Sequence, residues 1–236
     1  MKEKVQRLLI VSATQMEIAP SLSALELQLQ EQSNDILSYC DECLHVDFLI
    51  SGVGMLETCF HLQKQLLSND YDFVIQVGVA GLYPGAQLPL ASLVWVRTDN
   101  VADLGAIDAD GIFLSSASIG LSGGQLLGPS PEPPLKWQKH FSALQHVCGS
   151  SVNCLLGQPN FKTHLPPHDY PAVVESMEGA ALHLVCERMG IPYAQIRSIS
   201  NMVEPRDKSK WKMKEAIQEL NNWLIRLISN TSEYTT

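Results

Sequence analysis

The sequence lacks any apolar run long enough to cross a lipid bilayer, and it has no excess of basic residues. Its 236 residues include 16 Lys and Arg against 25 Asp and Glu, which gives a formal net charge of −9. Nucleic acids and anionic membrane surfaces attract basic patches, so we expect neither as a partner. Residues 1–4 lead into a short predicted strand and not into the apolar core of a secretory signal. We therefore expect a cytoplasmic protein.

The sequence also lacks the second cysteine pair that a zinc site would need. Cys40 and Cys43 form one C-x-x-C, which taken alone could indicate metal or redox chemistry. No second pair stands at zinc-ligand spacing, and Cys43 leads directly into the apolar run 44–50. We interpret the pair as two cysteines near a hairpin and the other cysteines as small core residues. No metal is predicted.

A third absence concerns dinucleotide cofactors. Gly52 and Gly54 form a G-x-G after a predicted strand, but the third glycine of the dinucleotide fingerprint is missing. The sequence therefore predicts no cofactor.

What the sequence does contain is enough apolar residues for one sizeable core. Apolar residues make up 45% and charged residues 17%, proportions typical of a globular protein. Neither an internal repeat nor a domain linker is visible, and this length is ordinary for one α/β domain. We predict a single domain over residues 1–236.

Short apolar runs alternate with helical patterns, which is typical of parallel strands joined by helical crossovers. Strands are predicted at 8–13, 46–51, 71–77, 93–96, 152–156 and 193–200, with a further hairpin formed by 25–29 and 36–39. Helices are predicted at 56–67, 178–189 and 211–228. We expect a polar loop around Glu17 and a long surface loop over 114–135.

Several predicted strands end in glycine-rich or polar peptides. These are Ala13-Thr14-Gln15-Met16-Glu17, Ser51-Gly52-Val53-Gly54, Gly78-Val79-Ala80-Gly81 and Ser200-Asn201. Open α/β sheets bind ligands at the carboxyl ends of strands, where glycine lets the backbone approach closely. Any one glycine peptide is better explained as a tight turn, but their combination with polar strand ends indicates a small-molecule site.

Five peptides in this order resemble the purine nucleoside phosphorylase and nucleosidase superfamily across nearly the whole chain. They are Ala13-Thr14-Gln15-Met16-Glu17-Ile18, Ser51-Gly52-Val53-Gly54, Val77-Gly78-Val79-Ala80-Gly81, Met177-Glu178-Gly179-Ala180 and Arg197-Ser198-Ile199-Ser200-Asn201. Within the superfamily, residues 196–206 with Lys210-Trp211-Lys212, and Asp103-Leu104-Gly105-Ala106, resemble the futalosine hydrolases. The resemblance implies an α/β fold with a central mixed β-sheet flanked by helices, and a homodimer or larger homo-oligomer.

The resemblance also implies a nucleoside substrate and cleavage of its N-glycosidic bond. Futalosine is an inosine-like nucleoside with a large aromatic acid at the ribose 5′ end. Its hydrolysis releases hypoxanthine on a route to menaquinone.

Hydrolysis of a purine riboside needs a group that activates water, and the resemblance gives this role to Glu17. Taken alone, Glu17 would more often be a solvated loop residue. Glu178 would accept hydrogen bonds from the ribose hydroxyls and favour positive charge on the sugar. The alternative for Glu178 is a carboxylate that interacts with a helix dipole.

Further residues enter the predicted site through the same resemblance. Met177 would pack on the sugar, and Phe161 would stack on the base unless it is a core residue. The remaining predicted substrate-binding residues are Val53, Val79, Ala80, Gly81, Lys162 and Ser200.

Asn201 stands where adenine-specific members of the superfamily carry aspartate, and it is the second predicted catalytic residue. Its amide offers one donor and one acceptor group, which can meet a 6-oxo group and the N7–H of the base. Asparagine therefore favours hypoxanthine or guanine over adenine. The alternative is an asparagine that caps a turn.

The choice between water and phosphate depends on anion binding. Superfamily phosphorylases hold phosphate with arginines near the first strand end and before the third glycine turn, but this sequence has none there. Arg97, Arg197 and Arg206 remain as candidates to bind the acidic 5′ group. Other readings left open are a methylthioadenosine or adenosylhomocysteine nucleosidase, a purine nucleoside phosphorylase and a nucleoside-binding protein without activity.

Overall fold

The computed structural model describes residues 6–26, 36–40, 44–121, 126–155, 170–204 and 207–229. The strands in these ranges are β1 Gln6–Ser12, β2 Ile36–Cys40, β3 Leu44–Ile50, β4 Phe73–Leu82, β5 Leu93–Thr98, β6 Gly105–Ile107, β7 Phe113–Ser115, β8 Gln145–Ser151, β9 Val173–Ser176 and β10 Tyr193–Met202. The helices are α1 Gln15–Ala24, α2 Met55–Ser68, α3 Leu135–Phe141, α4 Gly179–Met189 and α5 Met213–Ser229, with a 3-10 turn at Lys208–Lys210. No helix in this part of the chain is long and apolar enough to span a membrane.

Eight strands form one mixed sheet in the order β10-β5-β8-β9-β4-β1-β3-β2. β1 pairs in parallel with β3 and β4, and β4 pairs in parallel with β10. Because β10 also borders β5, the strands β4, β10, β5, β8 and β9 close into a ring. A closed ring has no free strand edge, because each of its strands has a hydrogen-bonded neighbour on both sides.

Helices cover both faces of the sheet because strand residues alternate between two apolar faces. Leu8 and Ile10 of β1 pack in a cluster with residues of α1, α3 and α5. Leu9 and Val11 pack on the other face with residues of α2 and α4. A third cluster lies around the ends of the ring strands and includes Ala80. The predicted α/β class, a central mixed sheet flanked by helices, is confirmed.

The first helix corrects a prediction. The segment around Glu17 is not a polar loop but the start of α1. The start of the strand predicted at 25–29 is also wrong, because Leu25 is the residue that ends α1. The rest of that predicted strand, from residue 27, lies outside the described ranges. Strand β2 pairs instead with β3 in a hairpin that borders the C-x-x-C, of which Cys43 lies outside the described ranges.

Other boundaries shift as well. The strand predicted at 152–156 lies earlier, as β8, and β4 continues through its glycines to Leu82 instead of ending at Gly78. Strand β7 and the turn that follows occupy part of the predicted loop 114–135. Sequence reasoning missed α3, β6, β7 and β9 because each is short.

Helix α2 forms as predicted and packs on the sheet through one face. Its buried residues are Thr58, Leu62 and Leu66. By contrast, Leu56, Phe60 and Leu67 are 84%, 63% and 74% exposed, respectively.

Candidate active site

The parallel strands β1, β3, β4 and β10 direct their carboxyl ends to the same edge of the sheet. Each end delivers one of the predicted peptides to that edge. Glu17 follows β1, Gly54 follows β3, residues 78–81 end β4, and Asn201 lies near the end of β10. The topology therefore brings together peptides that are far apart in the sequence.

Glu17 is nearly buried, and its carboxylate is held at both oxygens. Oε2 accepts hydrogen bonds from the Thr14 amide at 3.1 Å, the Thr14 hydroxyl at 3.0 Å and the Ser12 hydroxyl at 3.3 Å. Oε1 accepts from the Val79 amide of β4 at 3.1 Å. The side chain therefore reaches from the start of α1 to the strand that carries the glycines, and its orientation is fixed.

Glu178 is the residue immediately before α4, and it too is nearly buried. Among the described residues, its side chain caps no amide of its own helix. Instead, Oε1 accepts from the Gly54 amide at 3.0 Å, and Oε2 lies 3.5 Å from Nη2 of Arg197. These contacts connect Glu178 to the peptide after β3 and to Arg197 of β10.

Arg197 is the cation that pairs with Glu178. Its side chain is almost fully buried, and Nη2 also donates to Gln76 Oε1 at 3.0 Å. A Cβ at Gly78 would collide with Nη1 of Arg197 and would lie 2.9 Å from Glu17 Oε1. Gly78 is therefore glycine because the guanidinium and the carboxylate both approach the space that a side chain would occupy.

The first turn of α4, which follows Glu178, is connected to Asp99 through Ser151. The Ala180 amide in the first turn of α4 donates to Ser151 Oγ at 2.8 Å, and Ser151 Oγ donates to Asp99 Oδ1 at 3.0 Å. A Cβ at Gly179 would collide with Asp99 Oδ2. Glycine after Glu178 is thus required by close packing on this carboxylate.

Asp99 itself is completely buried, and burial raises its pKa to about 6. The Ser151 and Asn100 hydrogen bonds and the positive charge of Arg197 oppose this shift. His183 is also completely buried, and burial lowers its pKa to about 3, so its imidazole is uncharged at neutral pH.

Asn201 lies at an irregularity in β10, where the pairing with β4 shifts between Ile199 and Asn201. Its Nδ2 donates to the Met202 carbonyl at 2.9 Å, and its Oδ1 accepts from the Ser200 hydroxyl at 2.8 Å. Nδ2 also lies 3.3 Å from the position of a Cβ on Gly81. The amide therefore faces the end of β4, which Glu17 also contacts.

The other predicted binding residues have less specific surroundings. Val53 is exposed, whereas Val79 and Met177 are half-buried. The backbone amide of Val79 donates to Glu17. Ala80 accepts from the Ser200 hydroxyl at 3.3 Å through its carbonyl. Phe161 and Lys162 lie outside the described residues.

Of the three arginines considered for the 5′ group, two have other contacts. Arg97 pairs with Glu132 at 2.8 Å and lies over the Trp95 ring, whereas Arg197 belongs to the glutamate pair. Arg206 lies outside the described residues.

Sequence reasoning missed the contacts of Arg197, Asp99 and Ser151.

It also missed the start of α1, for which the sequence contains a signal. Thr14 followed three residues later by Glu17 has the spacing of a capping box, which predicts a helix start at this point. Among the described residues, no group of three or more His, Cys, Asp or Glu side chains could hold a metal ion.

Comparison with known sequences matches residues 153–229 to the model of the phosphorylase superfamily. A futalosine hydrolase from Acidothermus cellulolyticus is 28% identical over 179 residues, which cover 75% of this chain and 72% of that protein. A futalosine hydrolase from Thermus thermophilus is 27% identical over 184 residues, which cover 77% of this chain and 80% of that protein.

Solved structures share the fold over almost the whole chain. A futalosine hydrolase mutant of Helicobacter pylori superposes with a TM-score of 0.76 at 17% identity, covering 96% of this chain and 100% of that one. A 5′-methylthioadenosine/S-adenosylhomocysteine nucleosidase from Helicobacter pylori gives a TM-score of 0.75 at 18% identity, covering 97% and 100%. The resemblance predicted from the five peptides is confirmed.

Proposed function

We propose that this protein is a nucleosidase that hydrolyses the N-glycosidic bond of futalosine and releases hypoxanthine. The observation that carries the proposal is the arrangement of Glu17, Arg197 and Glu178 at the carboxyl end of β4. The similarity to futalosine hydrolases supports the choice of substrate. The proposal also places the reaction on a route to menaquinone.

Glu17 is the base that activates water. Because its Oε2 is occupied by three donors, Oε1 is the oxygen with more free capacity, and both it and Arg197 Nη1 lie near Gly78. A water between these two groups donates one proton to Glu17 as its oxygen bonds to C1′ of the ribose. The C1′–N9 bond breaks, its electron pair goes to the departing base, and the base takes up a proton from solvent while Glu17 returns its proton to solvent.

Glu178 binds the sugar. Its Oε1 accepts from Gly54 and its Oε2 faces Arg197, so each oxygen keeps a lone pair for the ribose 2′ and 3′ hydroxyls. Its negative charge stabilises the positive charge that grows on the ribose in the transition state. Met177, Val53 and Ala80 are proposed to contact the nucleoside beside it.

Asn201 sets the base preference. The bond from Nδ2 to the Met202 carbonyl requires nitrogen at that position, so it fixes the orientation of the amide. The second Nδ2 hydrogen remains for the 6-oxo group, and the second lone pair of Oδ1 remains for N7–H. Ser200 supports this orientation through its hydrogen bond to Oδ1. With adenine, the 6-amino group and the Nδ2 group of Asn201 would both be donors, and no hydrogen bond would form between them.

Water is a better nucleophile than phosphate in this setting. The guanidinium of Arg197 is already paired with Glu178, and Glu17 would repel an anion placed beside it. The test is to incubate the protein with futalosine, with and without phosphate and with excess chelator. We expect free hypoxanthine and a reducing sugar at the same rate in all cases. A strict need for phosphate, with a sugar 1-phosphate as product, would overturn the proposal.

The runner-up is a nucleosidase for methylthioadenosine or adenosylhomocysteine. A solved nucleosidase with these substrates in its name matches the fold as well as the futalosine hydrolase does. Asn201 speaks against it, since a carboxylate serves adenine better at this place. A substrate panel of futalosine, aminodeoxyfutalosine, inosine and methylthioadenosine separates the two, because faster release of adenine would favour the runner-up.

We also propose a cytoplasmic homo-oligomer built from one domain over residues 1–236. Support comes from Leu56, Phe60 and Leu67, which lie on one exposed side of α2 and form an apolar patch suited to contact with another copy. Light scattering coupled to size-exclusion chromatography tests this assembly, and a monomer at micromolar concentration would exclude it.

A further inference from the structure

Helix α1 contains an unusual contact at the turn that carries Glu17. Pro20 lies inside the helix and has no amide hydrogen to donate. The next amide, that of Ser21, donates to Oδ1 of Asn221 at 2.9 Å, and Nδ2 of Asn221 donates to the Glu17 carbonyl at 2.8 Å. One side-chain amide from α5 thus bridges residues 17 and 21, which are the two ends of a helical turn.

Asn221 is fully buried, and its polar groups all have partners. The Ser21 hydroxyl also donates to Oδ1 at 2.6 Å, and Nδ2 also donates to the Ile217 carbonyl at 2.7 Å. Its neighbours on the buried side of α5 include Leu220 and Leu224. A buried amide contributes less to packing than leucine and needs all its hydrogen bonds. Packing alone therefore does not account for an asparagine at this position.

Glu17 is consequently held from two sides. Its carboxylate accepts from Val79 and Thr14 on the side of the site, and its carbonyl accepts from Asn221 on the side of the core. A turn interrupted by proline would otherwise allow the backbone of residue 17 to shift. A displacement of about 1 Å in a catalytic group can lower turnover by up to ~100-fold.

We propose that Asn221 is a positioning residue, which fixes the backbone of Glu17 so that its carboxylate stands where the attacking water binds. The inference rests on the proposed function, since it assigns Asn221 to the group that activates water. Asn221 touches no substrate and acts only through Glu17.

The test compares Asn221→Leu with Asn222→Leu in the same helix. Asn222 is the matched control, because its side chain accepts from Gln218 at the surface and does not contact Glu17. We expect Asn221→Leu to lower kcat by ~10-fold or more with KM changed less than ~2-fold, which is the signature of a misplaced catalytic group. The control should keep kcat within ~2-fold of wild type. Equal effects of the two substitutions would overturn the proposal.

A double-mutant cycle with Glu17→Gln separates positioning from a general loss of structure. If Asn221 acts through Glu17, Asn221→Leu has no further effect on kcat once Glu17 has been replaced. The same fold-loss in both backgrounds would overturn the proposal. Cleavage of futalosine by the wild type tests the proposed function separately, and if another nucleoside is cleaved, the cycle is run on that nucleoside.

A second set of measurements covers the case in which leucine prevents folding. Asn221→Asp keeps the acceptor for Ser21 but removes the donor to Glu17, so kcat should fall, whereas Ser21→Ala keeps that donor and should leave kcat near wild type. Crystal structures of both variants give a readout independent of activity. In Asn221→Asp, the distance from Glu17 Oε1 to the Val79 amide should exceed about 3.5 Å, the limit of a hydrogen bond. An unchanged Glu17 would contradict the proposal.

Discussion

Two groups of buried acids in this molecule are built in different ways. The edge cluster lies where β2 and β3 pair, and it consists of Asp47 with Ser38, His45, Tyr71 and Arg7. The site cluster lies at the carboxyl end of β4, and it consists of Glu17, Glu178 and Arg197 with Asp99 behind them. Asp47 and Asp99 are both buried, but the hydrogen bonds that the two carboxylates accept differ.

The difference is clearest between Asp47 and Asp99. Asp47 accepts at both oxygens, from Ser38 and His45 at one and from Tyr71 and Arg7 at the other. Burial alone would raise its pKa, but the Ser38, Tyr71 and His45 hydrogen bonds outweigh burial and lower it. Asp99 accepts from Ser151 and the Asn100 amide at a single oxygen, and burial dominates.

A structural acid is therefore one whose donors match its acceptors, whereas acids in a site keep spare capacity for a ligand. Glu178 illustrates the second case, since its contacts with Gly54 and Arg197 leave lone pairs for a sugar. The comparison predicts that substitutions in the two clusters affect different observables.

The largest effect is expected for Glu17→Gln. This change removes the base while keeping the shape of the side chain, so turnover of futalosine should fall ~100-fold or more with binding nearly intact. Steady-state kinetics and equilibrium binding of the substrate measure the two parts. Asp47→Asn is the control from the edge cluster and should keep turnover near wild type. Near-normal turnover of Glu17→Gln would remove Glu17 from the mechanism.

The next effect concerns stability, and it belongs to the edge cluster. Asp47→Asn replaces a carboxylate oxygen by an NH2 group among donors from Ser38, Tyr71 and His45, so at least one buried donor loses its acceptor. We expect the free energy of unfolding to fall by about 2 kcal/mol. Urea denaturation monitored by circular dichroism provides the value. A loss of activity without a loss of stability would reverse the assignment of this cluster.

Asn201→Asp should produce a smaller change, in selectivity. The carboxylate repels a 6-oxo group and offers it no donor, whereas it can accept from a 6-amino group and, when protonated, donate to N7. The ratio of hypoxanthine release from futalosine to adenine release from its amino analogue should fall by ~10-fold. Both rates are measured on both proteins by chromatography of the free bases. A constant ratio would mean that Asn201 does not contact the base.

The smallest effect is a difference in pH dependence between the two aspartates. Because the pKa of Asp99 is raised from 3.8 to about 6 in the fold, the native state holds its proton more tightly, and this contribution to stability decreases as pH rises between these values. The lowered pKa of Asp47 has the opposite sign, so its contribution is present above the unfolded pKa and is lost as pH falls through the folded pKa.

Unfolding curves from pH 3 to pH 7 test this contrast. The stability of wild type relative to Asp99→Asn should decrease with pH, and that relative to Asp47→Asn should increase. Parallel curves for the two pairs would contradict the opposed shifts.

Much of the fold was predictable because buried parallel strands are short apolar runs and α5 has a clear helical period. The start of α1 was not, since Pro20 and the nearby serines hide the helical pattern, although the spacing of Thr14 and Glu17 signals it. Within the site, Glu17 and Glu178 could be proposed from resemblance. The partners of Asp99 could not, because it meets Ser151 only through the pairing of β5 with β8.

The contact between Asn221 and Glu17 joins positions that are 204 residues apart in the sequence. Contacts between such distant parts of a chain form late, since loop closure costs conformational entropy that nearby contacts do not. A growing polypeptide would thus contain all five signature peptides before residue 221 has left the ribosome, yet Glu17 would still lack its contact with Asn221. If Asn221 positions Glu17 as proposed, the site is complete only once α5 has packed against α1.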